Sequence, residues 1–515
     1  MKEKQGQLPL SLLLLLVLAT LSVRIYPAFL GSFPDPDHYY HLRQMEYVAQ
    51  EGQVRQFDEL SNLGRPYTYY PLFHVIGGTL AVLLSVPVLW AYAFVSLLFS
   101  LLGVLAVYCV ARAALKKCGL PTKAALFSAL CAAVLPIFFL RQGLFARPDA
   151  FAPAAVALAF LFLFRQNILG MAVLGAFLAL LHPYSLAIVA AFLAVAVFFD
   201  CLSAFLFKTE LVFVTLPRKP KQGPVSIASD FLHSKGLLLL VIFGLSALVA
   251  ATYYLRLPLS DFTTASTFRT SSEMQPSNPV GILQVTGPVL ILCAIAVLKA
   301  FGFPQKPRIT RSHWLVAAAV VSFALLFFAS RNIVYAAAPL AILAAFGLCE
   351  ADAKTENYAP WVWLVCGIAV LSSVYCALNL QSGQYSSQQL AGFAYLSGLP
   401  QAPVIALWDR GHPIAEISKK PVVVDGYFEF EPRLDEKVSD VQLLFSTGNS
   451  ETVGLIAKKY GAGYIYFDSK TQGIFGAKDN AFANSFLTAG NSTQLDLLFD
   501  SGDARVFSIL KNLES

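Results

Sequence analysis

The sequence predicts a polytopic α-helical membrane protein that ends in a small soluble α/β domain. Of its 515 residues, 57% are hydrophobic and only 13% are charged, a balance that excludes an ordinary soluble globular chain. Apolar runs long enough to cross roughly 30 Å of hydrocarbon recur through the first three quarters. Residues 381–515 change character, with ordinary polarity, dense turn residues and alternating strand patterns. A membrane domain at 1–380 and an α/β domain at 381–515 are therefore expected.

The first apolar run, Leu8–Leu30, has no small-residue cleavage site before its polar flank and reads as a retained span. Further spans are predicted at 88–112, 123–140, 150–165, 167–182, 184–207, 236–255, 280–300, 313–329, 331–349 and 359–379. The total comes to about 11–13 transmembrane helices. Pro71–Val86 is apolar too, but it ends at Pro87 and carries His74, Gly77 and Gly78.

Charge placement decides whether that stretch spans. Arg112, Lys116, Lys117 and Lys123 form one basic connection. Lys208, Arg218, Lys219, Lys221 and Lys235 form a second, and Lys299, Lys306, Arg308 and Arg311 a third. With Pro71–Val86 lying in the interface, all of these face the cytoplasm. Loops 31–87 and 256–280, the Asp149 loop and the C-terminal domain then lie outside the cell membrane. If Pro71–Val86 spanned, the first basic connection and the Asp149 loop would exchange sides.

In the tail, Val404–Trp408, Pro421–Val424 and Gly463–Phe467 read as strands, and Val453–Tyr460 as a short helix. The eight cysteines all sit in or beside apolar segments without ligand-type clustering, which argues against disulfides and zinc. No P-loop, dinucleotide fingerprint or internal repeat is present, and nothing points to nucleic acid.

Carboxylates are scarce in so apolar a chain, and three acidic clusters fall on one predicted side of the membrane. Asp35 and Asp37 flank Pro36, which fixes its own φ and biases Asp35 toward an extended conformation, and such a pair offers oxygen ligands to a hard cation. Capping of the following helix is the alternative for both. Arg43 in that helix suits a snorkelling interface anchor or an anion ligand. Asp149 in Arg147-Pro148-Asp149 also precedes an apolar run, where a cap is the competing role; Arg141 and Arg147 nearby suit phosphate. Glu273 lies in the polar stretch Thr263–Asn278 with no helix to cap. Arg331, between two apolar runs, suits a lipid-linked phosphate as well as a plain interfacial role. His38 and His182 are the histidines to follow. Trp408-Asp409 suits recognition of a hydroxyl-bearing peptide group, or a packed tryptophan beside a turn aspartate. Asn491-Ser492-Thr493 is a glycosylation acceptor sequence.

Together these stretches resemble the catalytic subunit of oligosaccharyltransferase, in its archaeal type, within the GT-C superfamily of membrane glycosyltransferases. Asp37-His38-Tyr39-Tyr40-His41-Leu42-Arg43 is similar to the family's first-loop motif, and Ser272-Glu273-Met274-Gln275-Pro276 to its fifth-loop motif. Ser330-Arg331-Asn332-Ile333-Val334-Tyr335, followed by Pro339, is similar to the start of a late span. Two stretches depart. Arg147-Pro148-Asp149 offers one acid where the family has two metal-binding residues, and the family's Trp-Trp-Asp-Tyr-Gly stands here as Leu407-Trp408-Asp409-Arg410-Gly411.

The resemblance implies inverting transfer of an oligosaccharide from a dolichyl or other polyprenyl (pyro)phosphate to asparagine of an acceptor protein or peptide. It implies that Asp37 and Glu273 orient the carboxamide, and that Asp37, Asp149 and Glu273 hold Mn²⁺ or Mg²⁺, with Asp35 and His38 as auxiliaries. Arg331 and Arg147 would bind the donor phosphate, while Trp408, Asp409 and Glu273 would contact the acceptor. Membrane lipid is the implied surrounding, and a single subunit suffices in this reading. The alternatives are a GT-C enzyme moving one sugar from a polyprenyl phosphate to a lipid, glycan or other residue, and a transporter or pseudoenzyme that binds lipid-linked sugar.

Overall fold

The computed structural model describes residues 35–67, 69–117, 119–134, 147–207, 289–301, 333–352, 385–428, 433–475 and 495–510, with isolated positions besides. Along the chain its helices begin with α1 (Asp37–Glu51), α2 (Pro71–Leu84), α3 (Val88–Lys117) and α4 (Ala125–Val134). α5 (Ala152–Arg165), α6 (Ile168–Leu181), α7 (Pro183–Phe207), α8 (Val289–Phe301) and α9 (Ile333–Asp352) follow. The C-terminal helices are α10 (Ser387–Ser397), α11 (Trp408–Ser418), α12 (Leu434–Ser446), α13 (Ser450–Lys459) and α14 (Ser469–Phe475). The strands are β1 (Phe57–Asp58), β2 (Arg65–Pro66), β3 (Val404–Ile405), β4 (Tyr464–Asp468), β5 (Leu495–Asp500) and β6 (Ala504–Ile509).

The chain divides into two compact units, with one division at Gln381/Ser382 beside the expected 380/381 and two earlier segments assigned to the C-terminal unit. One unit comprises Met1–Phe29, Ala93–Arg256 and Thr270–Gln381; the other joins Leu30–Tyr92 and Leu257–Arg269 to Ser382–Ser515. The long first loop therefore packs as part of the C-terminal domain, through contacts that composition along the chain does not register.

The first unit is helical. Among the described residues, Val88–Lys116 and Pro148–Arg165 are long and apolar enough to cross a membrane, whereas Ile168–Leu181, Pro183–Val195 and Tyr335–Cys349 are shorter apolar helices. The predicted spans at 8–30, 236–255, 313–329 and 359–379 lie outside the described residues, apart from isolated positions. α9 is buried continuously from Tyr335 to Leu348 and packs on α8, α5 and α4. Its Gly347 permits the closest of these approaches: a Cβ there would lie 1.9 Å from the Leu292 carbonyl oxygen of α8. Cys293 Sγ donates to the Leu340 carbonyl at 3.3 Å, satisfying a thiol within the same helix pair.

The second unit is built on a four-stranded sheet of order β3-β4-β6-β5, parallel between β3 and β4 and antiparallel elsewhere. Its core joins Ile405, Val423, Phe445, Ile465, Phe467, Phe482 and Phe507. The β1–β2 hairpin belongs to this unit: Val422 N–H donates to Leu60 O at 3.0 Å, and Leu63 N–H returns to Val422 O at 2.8 Å. Pro421–Val424, expected as a strand, is an extended segment with one bridge, Val404 to Val422. The expected helix Val453–Tyr460 is α13, started by Asn449 Oδ1, which accepts from the N–H groups of Glu451 and Thr452. Within Pro71–Val86, α2 has 14 residues, about 21 Å of helix.

The expected strand Val404–Trp408 ends at Ile405, and Trp408 opens α11 instead. Arg410 N–H closes the first turn on Leu407 O at 2.8 Å, and Asp409 places an acid at the helix N-terminus. Pro413 lies inside this helix and cannot donate to the Asp409 carbonyl. Tyr385 supplies the missing donor, its hydroxyl reaching Asp409 O at 2.6 Å.

Candidate active site

The two aspartates around Pro36 have separate duties. Asp35 Oδ1 accepts the Asp37 N–H at 2.9 Å, so Asp35 performs the capping task at the start of α1. Asp37 is the first helical residue and keeps its side chain 35% exposed. His38 is buried, with Nδ1 3.0 Å from Asp35 O and its ring stacked on Phe33, which gives it a local packing role. Arg43 is neither a snorkel nor an anion ligand. It is fully buried and paired with Asp58 at 2.8 Å. Burial would lower its pKa, but Asp58, Tyr47 and Glu416 together outweigh that and raise it.

α11 packs against α1 and carries the Trp408–Asp409 motif. Gly411 lets α11 lie close on the Val424–Asp425 segment, because a Cβ there would meet Asp425 Cβ and Val424 O at 2.5 Å. His412 then lies between two carboxylates. Its Nε2 is 4.0 Å from Asp37 Oδ1, and its Nδ1 is 3.4 Å from Asp425 Oδ2, an ion-pair separation outside directed hydrogen-bond geometry. Asp425 is fixed by Ser61 Oγ at 2.5 Å, Asn62 Nδ2 at 3.2 Å and Tyr427 N–H at 2.9 Å. Burial pushes the Asp425 pKa up, but His412, Arg65 and Ser61 together hold the carboxyl well below the usual carboxylate range.

Trp408 is 38% exposed and meets Phe428 edge to face. Asp409 is buried rather than displayed with it. Its Oδ2 accepts from Arg410 Nη1 at 3.0 Å and from Lys470 Nζ, while Oδ1 has no hydrogen-bond partner. Arg410 is anchored in turn by Asp468, 2.6 Å from its Nε. Beside these groups lies a cavity of about 110 Å³ walled by Leu407, Trp408, Val424, Val438, Ile474 and Phe475, with Asp409 and Lys470 as its charged edge. One apolar group and one hydrogen-bond donor would satisfy such a site.

In the helical unit, Asp149 occupies a short 3₁₀ turn, Pro148–Phe151, ahead of α5. It caps nothing by its side chain: Oδ2 pairs with Arg147 Nη2 at 3.4 Å, and the buried Oδ1 has no hydrogen-bond partner. Glu273 and Arg331 lie outside the described residues, as does Asn491. Among the described residues, no group of three His, Cys, Asp or Glu side chains is arranged to hold a metal ion. The donors that bear on the expected Mn²⁺ or Mg²⁺ are the carboxylates of Asp37 and Asp149, one partly exposed and one with an orphaned buried oxygen. Oxygen donors of this kind suit those hard cations.

No family model matches the chain, and no curated protein sequence does. Solved structures do match. The Archaeoglobus fulgidus oligosaccharyltransferase tethered with an acceptor peptide containing the NVT sequon aligns over 98% of this chain and 74% of its own, with a TM-score of 0.68 and 16% identity. The chain shares the archaeal oligosaccharyltransferase fold. A second structure of that kind, AglB from A. fulgidus with an inhibitory peptide and a dolichol-phosphate, covers 89% of this chain and 69% of its own, with a TM-score of 0.65 and 15% identity. ArnT from Cupriavidus metallidurans bound to undecaprenyl phosphate aligns over 99% of this chain and 100% of its own, with a TM-score of 0.57 and 12% identity. These are GT-C glycosyltransferases, and at such identities the likeness is one of fold.

Within the oligosaccharyltransferase-like fold, the second unit brings Asp37 together with the helix that carries Trp408 and Asp409. Sequence reasoning missed His412, Asp425 and Lys470. A signal for the first was present, since Gly411-His412 directly follows Trp408-Asp409-Arg410. Asp425 and Lys470 carry no such signal, because their partners are brought to them only by folding.

Proposed function

We propose that this protein is a membrane glycosyltransferase that moves an oligosaccharide from a dolichyl or other polyprenyl (pyro)phosphate to the asparagine of a peptide or protein. The arrangement of α11 is the observation that carries this reading. Its first turn borders the cavity beside Trp408 and Asp409, and one turn later His412 faces Asp37. One helical turn advances about 5.4 Å, and two residues of extended peptide span about 7 Å. In this reading a peptide whose hydroxyl-bearing residue enters the cavity presents the residue two places earlier toward Asp37, as an Asn-x-Ser/Thr acceptor requires.

In this reading Asp37 accepts a hydrogen bond from the carboxamide N–H and turns the nitrogen toward the anomeric carbon. Attack opposite the leaving phosphate inverts that carbon. The Asp409–Lys470 edge of the cavity meets the hydroxyl, and Trp408 and Ile474 cover the methyl of a threonine. Arg147 and Arg331 bind the donor phosphate. Mn²⁺ or Mg²⁺ held by chain carboxylates, Asp37 first with Asp149 and Glu273 as the other expected ligands, would supply Lewis-acid stabilisation of the leaving group.

A second reading is favoured by the end-to-end alignment with ArnT: transfer of a single sugar from a polyprenyl phosphate to another acceptor. The test is transfer in vitro from lipid-linked glycans of host membranes, with Mn²⁺ and a tagged Asn-x-Thr peptide. Glycopeptide that disappears with Asp37→Ala and with a Gln-x-Thr peptide supports the first reading. Donor consumed without glycopeptide supports the second, and no donor consumption sinks both.

A further inference from the structure

We infer that Tyr385 is a positioning residue for the acceptor cavity, its hydroxyl holding the Asp409 turn in place of the amide that Pro413 lacks. This rests on the reading of that cavity as the acceptor site. Pro413 is the sixth residue of α11, and the carbonyl that its missing N–H would have met is that of Asp409. The Tyr385 hydroxyl donates to that oxygen at 2.6 Å. Both residues are buried, which leaves little water to replace the donor.

The Asp409 side chain has partners of its own. Its Oδ2 accepts from Arg410 Nη1 at 3.0 Å and from Lys470 Nζ. Tyr385 bears on the first of these as well, because the Arg410 guanidinium lies over its ring, 4.9 Å from the centroid. Arg410 is anchored by Asp468, 2.6 Å from its Nε. Asp468 is held in turn by Gln389 Nε2 at 3.1 Å and by the N–H and hydroxyl of Thr471. One tyrosine thus meets Asp409 twice, at the backbone through its hydroxyl and at the carboxylate through Arg410.

The ring of Tyr385 is itself fixed. Phe393 of α10 meets it edge to face at 5.4 Å, and Tyr39, two residues beyond Asp37 in α1, does so at 6.0 Å. Trp408 and Asp409, which border the cavity, open α11 ahead of Pro413. A proline in that place loosens the hold of the helix body on its own first turn, and the first turn is the part that borders the cavity. Tyr385 restores the hold from outside the helix and ties the cavity wall to the helix that carries Asp37. A supporting residue orders a recognition site in this way without touching the substrate.

Two substitutions separate this role from packing. Tyr385→Phe keeps the ring against Arg410, Phe393 and Tyr39 and removes only the hydroxyl. Pro413→Ala returns an amide N–H one helical turn from the Asp409 carbonyl, so the double variant Tyr385→Phe/Pro413→Ala regains a donor from within α11. Thermal melting of each purified full-length protein reports folding.

In Tyr385→Phe the KM for an Asn-x-Thr peptide should rise about fivefold with kcat within about twofold, and the preference over Asn-x-Ala should narrow. The double variant should recover most of that loss. Hydrogen exchange of the 408–412 amides, followed by mass spectrometry without donor or peptide, should quicken severalfold in Tyr385→Phe and slow again in the double variant. A folded Tyr385→Phe protein with wild-type KM or unchanged exchange would overturn the inference. So would a loss of kcat alone, or a double variant no better than Tyr385→Phe. A wild-type protein that makes no glycopeptide would sink the proposed reaction instead, and the exchange comparison would still decide whether Tyr385 holds the Asp409 turn.

Discussion

Ser61 Oγ donates a 2.5 Å hydrogen bond to Asp425 Oδ2 across 364 positions of the chain. It is one of a set. Arg65 Nη1 donates to Tyr427 O at 2.6 Å with its guanidinium over the Tyr427 ring, and Lys437 Nζ donates to Asn62 O at 2.7 Å. All of these join the loop between α1 and α2 to the C-terminal domain, and the helix bearing Asp37 is positioned by them.

Asp425→Ala should therefore destabilise the second unit by about 3 kcal/mol or more, since it leaves Ser61, Asn62 and His412 without their common partner in a dry site. Limited proteolysis of the detergent-solubilised variant checks this, with cleavage expected both in the 57–66 segment and in the C-terminal domain.

Gly411→Ala should cost about 1–3 kcal/mol, because the added methyl meets backbone and Cβ atoms that cannot rotate away. Transfer should fall by more than the loss of folded protein, as α11 moves off the Val424–Asp425 segment. Comparing specific activity per folded molecule with the melting temperature separates the two effects.

Burial, and after it the nearby Glu46 charge, push the Glu416 carboxyl up to about 7, against the pull of Lys419 and Arg43. A folded carboxyl that holds its proton longer than the unfolded one favours folding at low pH. That contribution is complete below about pH 4.5 and is lost as pH rises toward 7. Glu416→Gln should flatten the fall in melting temperature between pH 5 and 8, by an equivalent of at most about 3 kcal/mol.

Trp408→Ala should narrow the preference for Asn-x-Thr over Asn-x-Ala peptides by roughly tenfold, acting on KM, because it removes one wall of the cavity and admits water to Asp409. Competition between the two peptides in one reaction measures the ratio directly.

A chelator should abolish transfer, and Mn²⁺ or Mg²⁺ should restore it; Asp149→Asn should raise the Mn²⁺ concentration needed for half-maximal rate. Titration of Mn²⁺ against activity in both proteins tests this. An unchanged requirement would remove Asp149 from the ligand set.

Much of the helical unit was legible because apolar runs report their own length. The α/β character of the tail was legible from its alternation, and the Ser386–Gln389 capping box that starts α10 was present to be read. The Trp408 segment misled because Val404–Leu407 is as apolar as a longer strand. The turn to helix is signalled only by Asp409 in the first turn and completed by Tyr385 from outside the segment. The different tasks of Asp35 and Asp37 were not legible at all. Equal residue types two positions apart are distinguished by which carboxylate the backbone N–H of Asp37 selects.

The union of the first loop with the tail also bears on biogenesis. At synthesis rates of about 5–20 residues per second, the segment holding Ser61 leaves the ribosome tens of seconds before Asp425 exists. During that interval Arg65, Asn62 and the helix bearing Asp37 wait without their eventual partners in the C-terminal domain. Truncation anywhere before Asp425 removes the scaffold of the Asp37 helix, so a nascent chain acquires this half of the site only once Asp425 and its neighbours have been made.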